Sequence, residues 1–544
     1  MVLKLLLLLF LYSLPVIFSQ DNANVTIIIQ GSVTVAETDD SFICATIDWW
    51  PPQKCDYKNC PWGNASVLNL DLNNPYLSAA IKAFNPLRVR VGGTLQDRIV
   101  YDVGIFKPNC APFSVSDSGL FGFSAGCLSM EKWDELNHLF QKTGAIVIFG
   151  LNALQGRRQS SEGIWQGPWN SSNAHDFIQY TISKGYPVTT WEFGNELSGH
   201  GIGASVDAEQ YAKDLILLKT ILSDLYRNSK SKPFLVAPGG FFNDEEWYAQ
   251  LLEASGPNVL NALTHHIYNL GGGDDPNIAE RIKDPNYLSG FADTFRAVQL
   301  TLQEHGPWSS AWVGEAGGVY NSGSPQVSNT FLNSFWYLDQ LGMASKYNTK
   351  VYCRQALIGG NYGLLDKETF VPNPDYYSTS ALLWHQLMGK GVLAIDINGS
   401  PFIKAYAHCR KSESGVSLLL INFSKSATFN TTVHNDLNVD LVEKGIQKDG
   451  SFAHNLKRTV SWIGRKVSDG SPSREEYHLT AKDGDYLSRI MLLNGSPLQI
   501  TESGDIPELR PVLVAVNAPI SIAPMSIAFV VFPNFEAHAC VPTQ

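Results

Sequence analysis

Beyond its first 19 residues this 544-residue chain has no apolar run approaching the roughly 20 residues needed to cross a bilayer, so no integral membrane segment is expected. None of its eight cysteines shows the Cys-x2-Cys spacing, and the histidines do not cluster near them, so no metal is expected. Basic residues are the minority, 40 against 51 acidic, for a net charge of −11. The densest basic group, Arg227, Lys230 and Lys232, continues a helical pattern and reads as a solvated turn. A basic face for nucleic acid is therefore absent, and an extended cleft for heavily sulfated polymers is disfavoured. Gly92-Gly93 lacks the spacing of a nucleotide-binding turn, and no cofactor is expected. No internal repeat is apparent.

What is present starts with a leader. Met1 to Ser19 carries one lysine, the run Leu5 to Leu11 and a small residue before Gln20, the pattern of a secretory signal. Asn-x-Ser/Thr sequons at Asn24, Asn64, Asn170, Asn398, Asn422, Asn430 and Asn494 fit a chain that enters the secretory pathway. An even number of cysteines in the mature part is compatible with disulfides. Cys55 with Cys60, or Cys110 with Cys127, are near enough to pair locally, and Cys409 with Cys540 would tie the last domain, but spacing alone fixes no pairing. An extracellular or cell-wall location is expected, with a vacuolar or lysosome-like compartment as the alternative. The oligomeric state is not legible.

At 44% hydrophobic and 17% charged the composition is globular, and the length suits one large domain and one smaller. Strand-like apolar runs at 42–48, 87–92, 145–151, 189–194, 234–237, 262–268, 311–314 and 351–358 alternate with helical patterns such as 130–142, 208–226, 280–305 and 327–345. Eight such alternations over 41–390 predict an α/β fold, a (β/α)8 barrel. From 391 to 544 the texture changes to short strands separated by turns, which predicts an antiparallel β-sandwich. Residues 20–40 read as strands joining that sandwich, at its edge.

The C-terminal ends of barrel strands carry the chemistry in this fold. Strand four ends in Trp191-Glu192-Phe193-Gly194-Asn195-Glu196 and strand seven in Trp312-Val313-Gly314-Glu315. Two carboxylates so placed suit glycosidic bond cleavage, one protonating the departing oxygen and the other attacking the anomeric carbon. The donor needs a raised pKa from burial and a neighbouring carboxylate. The other must stay ionised, helped by a donor such as Tyr268. Period two puts His266 and Tyr268 on one face of strand six and His265 on the other. Asn195 is placed to reach a sugar 2-hydroxyl, and Trp49, Trp50 and Trp191 offer flat faces for sugar rings or plain packing.

The Asn195-Glu196 pair, Glu315 and Tyr268 resemble the clan of (β/α)8 retaining glycosidases. Leu87-Arg88-Val89-Arg90-Val91-Gly92-Gly93-Thr94, Thr264-His265-His266-Ile267-Tyr268 and Gly359-Gly360-Asn361-Tyr362 resemble more narrowly the heparanase family, the β-glucuronidases of glycoside hydrolase family 79. That resemblance covers almost the whole mature chain. It implies Glu196 as proton donor and Glu315 as nucleophile. It implies Gly360 and Tyr362 at the uronate carboxylate, Asp48 and Thr94 at sugar hydroxyls, His266 and Tyr268 supporting the nucleophile, and a Cys409–Cys540 disulfide. The expected activity is retaining hydrolysis of a glucuronic-acid-containing glycan or glucuronide. Only Tyr101 to Ser129 joins the second strand unit to the next helix, without a lysine-rich cleavage segment, so a single-chain enzyme is expected. The competing readings are another hexosidase or endoglycosidase of the clan, and a catalytically silent glycan-binding protein on the same scaffold.

Overall fold

The computed structural model describes residues 22–104, 110–117, 119–377, 382–436, 473–501 and 504–541; the expected leader, Met1 to Ser19, lies outside them. Eight parallel strands close into a barrel: Ile43–Ile47, Arg88–Val91, Ile146–Leu151, Val188–Phe193, Phe234–Phe241, Ala262–Ile267, Ser310–Ala316 and Thr349–Arg354. All eight coincide with the apolar runs of the sequence. Strands buried on both faces need no polar side, which is why they read as short continuous apolar segments. Side chains alternate, so Val89 and Val91 join the large apolar core while Arg88 and Arg90 take the other face of their strand. A separate buried cluster of Cys44, Ile148, Val236, Ala262, Trp312, Val351 and Cys353 draws on six of the eight strands.

Helix boundaries follow local chemistry. Met130–Thr143 is capped by Ser129, which accepts from Lys132 N at 3.1 Å, and stops at Gly144 in the left-handed region. Ala208–Leu225 is capped by Asp207 in the same way. The long pattern 280–305 is in fact three helices, Ile278–Lys283, Pro285–Ser289 and Ala292–His305, because Pro285 and Gly290 interrupt it. The pattern 327–345 becomes helix only at Asn333 and runs to Lys346. This last helix is buried on nearly every side between the barrel and the C-terminal domain. Its Asp339 accepts from Lys404 Nζ and Tyr406 Oη, both at 2.7 Å, and a Cβ at Gly342 would run into the Tyr406 ring.

Among the described residues the C-terminal domain is an eleven-stranded sheet with apolar residues on both faces. Leu419, Ile421, Phe529 and Val531 belong to the core shared with the barrel, whereas Leu418, Leu420, Ala528 and Val530 face a second core with Val25, Ile27 and Ile29. The strand Asn22–Glu37 is not at an edge: it lies between Met388–Asn398, antiparallel, and Thr428–Asn435, parallel. The other pairings in this sheet are antiparallel.

Disulfides join Cys44–Cys353, Cys55–Cys60, Cys110–Cys127 and Cys409–Cys540. Cys44 and Cys353 face each other across strands one and eight, a pairing that sequence spacing gave no hint of. Asn24, Asn64, Asn170 and Asn398 are exposed. Asn422 corrects the sequon reading. It is fully buried, and its Nδ2 donates to the carbonyls of Ala427, Ile522 and Ala523, so it is a structural clamp with no room for a glycan.

Candidate active site

Strand four ends at Phe193, and Glu196 lies three residues beyond it with φ +56°, a left-handed conformation that costs a non-glycine residue energy. Two backbone bonds hold it there: Glu196 N donates to Gly239 O at 2.7 Å, and Ile202 N donates to Glu196 O at 3.0 Å. Glu315, by contrast, is the penultimate residue of strand seven. One oxygen of each carboxylate and a ring nitrogen of His266 lie within 4.8 Å of one another.

The floor of the site is an ion cluster centred on the fully buried Arg90. Its Nε donates to Glu192 at 2.6 Å, Nη1 to Glu315 Oε2 at 2.9 Å and Nη2 to Asn195 Oδ1 at 2.8 Å. Burial alone would lower the guanidinium pKa, but the Glu192 and Glu315 charges override it and raise it, so Arg90 is a permanent cation. Tyr268 Oη donates to Glu315 Oε1 at 2.5 Å. Burial and the Glu315 charge hold that phenol well above its usual range, so it remains a donor. Both oxygens of Glu315 thus accept hydrogen bonds.

Glu196 has a different setting. Its Oε1 meets His266 Nδ1 at 2.9 Å. Burial pushes Glu196 up to about 7, against the opposing charge of Arg90. Burial also lowers His266 to about 3, so the imidazole is neutral and adds no charge to draw the proton off. The resemblance implied that His266 supports the nucleophile; it pairs in register with Glu315 on the neighbouring strand, and its Nδ1 is bonded to Glu196.

Thr94, Tyr268 and Tyr362 line the cavity of about 450 Å³ that both glutamates face. Asp48 stands one layer behind: its Oδ2 accepts from Gln355 Nε2 at 2.8 Å, and Gln355 is on the wall. Burial, then the charge of Glu315, raises Asp48 to about 7. Asn195 N donates to Asp97 Oδ2 at 2.8 Å, while its Nδ2 is buried and has no partner among the described residues. Gly360 has φ +65° and sits against the Tyr362 ring, where any Cβ would clash at 2.5 Å. Of the three tryptophans, only Trp50 lines the cavity; Trp49 and Trp191 are fully buried and pack on Phe149.

Arg90, Glu192, Asp97 and Gln355 escaped the sequence reading as site residues. The signal for Arg90 was there: two arginines alternating with valines in a strand that must be buried require acidic partners inside the barrel. What was missing was the identity of those partners, 102 and 225 residues away.

Two carboxylates at the ends of strands four and seven of a (β/α)8 barrel, one bonded to a buried arginine and a phenol and the other pushed up to about 7 by burial, define a glycoside hydrolase. Residues 24–342 match the model of the glycosyl hydrolase family 79 N-terminal domain, and the chain belongs to that family. It is 58% identical to heparanase-like protein 2 of Arabidopsis thaliana, across 97% of each chain. It is 40% identical to baicalin-β-D-glucuronidase of Scutellaria baicalensis, across 92% of this chain and 90% of that one. Among solved structures, a 4-O-α-L-rhamnosyl-β-D-glucuronidase from Fusarium oxysporum 12S shares the fold, with TM-score 0.64 and 15% identity over 93% of this chain and all of that one.

Proposed function

We propose that the protein is a secreted, single-chain β-glucuronidase that hydrolyses β-linked glucuronosyl residues with retention of configuration. The observation that carries the stereochemistry is the closeness of Glu196 and Glu315, whose nearest oxygens lie within 4.8 Å. Retaining enzymes hold their carboxyls about 5–5.5 Å apart, and inverting enzymes about 6.5–9.5 Å apart to admit a water. The glucuronide preference draws on the relatives: the Scutellaria protein is a β-D-glucuronidase, and a hyaluronoglucuronidase from Hirudo nipponia is 26% identical.

In the first step a Glu315 oxygen attacks the anomeric carbon, the bond to the departing oxygen breaks, and Glu196 gives that oxygen its proton. The products are an ester on Glu315 and a free alcohol. Glu196, now a carboxylate, takes a proton from water as the water oxygen attacks the same carbon. The ester bond breaks, glucuronic acid leaves, and both glutamates return to their starting states. Asn195 Nδ2, unpartnered and buried, donates to the 2-hydroxyl. Thr94, with Asp48 acting through Gln355, meets the other hydroxyls. Gly360 and Tyr362 receive the uronate carboxylate.

The apolar leader, the exposed sequons and four disulfides support passage through the secretory pathway to the cell exterior, wall or vacuole. Among the described residues no helix is long and apolar enough to cross a membrane. The assay is hydrolysis of p-nitrophenyl β-glucuronide beside the β-glucoside, with NMR of the first-formed anomer. Glucuronide cleavage giving the β-anomer is expected; cleavage of the glucoside alone, or an α-anomer, would overturn the reading.

A further inference from the structure

The two sides of the cavity differ in chemistry, and the mechanism says which side the departing group occupies. Glu196 must touch the leaving oxygen, so the aglycone lies on the Glu196 side. Three side chains on the cavity wall bracket that residue. Ile202 is held to Glu196 by the backbone bond from its amide. Phe121 packs beneath the same loop, so that a Cβ at Gly203 would lie 2.7 Å from its ring. Phe241 is two residues beyond Gly239, the acceptor for Glu196 N, and its ring centre is 5.9 Å from that of Tyr268. None of the three carries a polar side-chain atom. Ile202 is 46% exposed, and Phe121 has φ +61°, a strained conformation for an aromatic residue and one that marks functional positions.

Of the polar lining, Gln355 and Ser322 lie by Tyr362. Lys54 sits 4.7 Å over the ring of Trp50, which with Tyr320 completes the aromatic part of the wall. Gln355 follows directly on strand eight, the neighbour of the strand that carries Glu315, and Asn361 N donates to Ser322 O at 2.7 Å. Among the described residues Lys54 is the lysine on the wall, and it is paired with Asp56 at 2.7 Å, so these residues offer no free cation to a sulfated or uronate-rich chain.

We propose that the Glu196 side is an aglycone subsite for an uncharged, largely apolar group, an aryl-bearing or polycyclic alcohol, in preference to a further sugar. A second sugar would leave its hydroxyls against Ile202, Phe121 and Phe241 without partners, at the desolvation cost of unpaired polar groups. A flat hydrocarbon surface is instead removed from water there. The inference rests on the glucuronidase reading and fixes what that reading leaves open.

The test holds the glycone and the leaving-group class constant. Phenethyl β-glucuronide and β-glucuronosyl-(1→6)-galactose both release a primary alcohol, so kcat/KM compares the subsite and not the chemistry. The phenethyl substrate is expected to lead by about tenfold or more. Ile202→Asn, at an exposed position that tolerates a polar residue, and Phe121→Ala are expected to lower phenethyl kcat/KM about tenfold and narrow the ratio. Equal or better turnover of the disaccharide overturns the aglycone assignment while leaving the glucuronidase reading intact. So does an equal loss on both substrates in the variants. Folded protein that cleaves neither glucuronide overturns both.

Discussion

The ends of strands four and seven present the same residue type to one cavity, yet the two surroundings have little in common. Glu315 belongs to a regular strand, and both of its oxygens accept from groups that stabilise charge, Arg90 and Tyr268. Glu196 lies outside its strand in a strained conformation, its side chain meets a neutral imidazole, and burial pushes it up to about 7. Identical side chains thus sit in unlike surroundings, and the asymmetry lies in backbone geometry and buried charge, not in residue choice; the proposed division of acid and nucleophile rests on it.

Replacing each glutamate in turn tests that division most severely. Glu315→Gln is expected to lower kcat for every substrate beyond the roughly 10²–10⁴ that general acid catalysis supplies. Glu196→Ala is expected to fall less on p-nitrophenyl glucuronide, whose leaving group needs little protonation, and azide should restore turnover because it needs no base. Equal losses, or azide rescue of glucuronide turnover at Glu315 alone, would reverse the assignment.

Arg90→Met acts first on the Glu315 side, though Arg90 also bonds Asn195 and opposes the raised value of Glu196. Glu192 and Glu315 would be left buried without their cation, at a cost of about 3–5 kcal/mol measured by denaturant unfolding. A loss under about 1 kcal/mol would mean that the cluster is not the electrostatic floor of the barrel.

The pH dependence separates the two residues without mutation. Since Glu196 titrates at about 7, the alkaline limb of kcat/KM should lie near pH 7, and it should vanish for Glu196→Ala assayed with the activated substrate. Stability carries the same sign. The folded protein holds this proton more tightly than the unfolded chain, whose glutamate titrates near 4.5. The associated stabilisation is complete below that value and is lost as pH rises through about 7. Asp48 and Asp97, both raised to about 7 chiefly by burial, act in the same direction. Buried His265 and His266, lowered to about 3, and His385 and His408, lowered to about 4, oppose this over the same span. The check is therefore the Tm difference between the native protein and Glu196→Gln. The native advantage should be larger at pH 5 than at pH 7.5, and an equal difference at both would contradict the raised value of Glu196.

The smallest effect is expected at Asp97→Asn, which weakens the acceptor for Asn195 N next to Glu196 but leaves Arg90 untouched. A hydrogen bond worth about 1 kcal/mol predicts a loss in kcat/KM of under about tenfold, with the alkaline limb retained. A shift of that limb would make Asp97 part of the titrating unit.

Much of this site could be anticipated residue by residue. Glu196, Glu315, Asn195 and Tyr268 stand out because strand ends are visible as apolar runs that stop. Trp49 and Trp191 look like sugar platforms on paper, and only the packing on Phe149 makes them core. Asn422 reads as a glycosylation acceptor until its amide is seen spanning three carbonyls. His266 was expected from the resemblance to support the nucleophile; it does stand beside Glu315, in register on the neighbouring strand, but only the folded barrel shows that its Nδ1 bonds Glu196. The strand Asn22–Glu37 was expected at an edge, whereas Thr428–Asn435, 406 residues later at its first pair, covers its other side.

By itself the sequence determined the alternation of strand and helix, the two carboxylates at strand ends and the change of texture near residue 390, because these depend on residues adjacent in the chain. Tertiary structure alone decided the surroundings of the two glutamates. Barrel closure brings Arg90 to Glu192 and Glu315, the backbone bond to Gly239 holds Glu196 outside its strand, and burial pushes Glu196 up to about 7. Those contacts join residues far apart in the chain, and no local pattern encodes them.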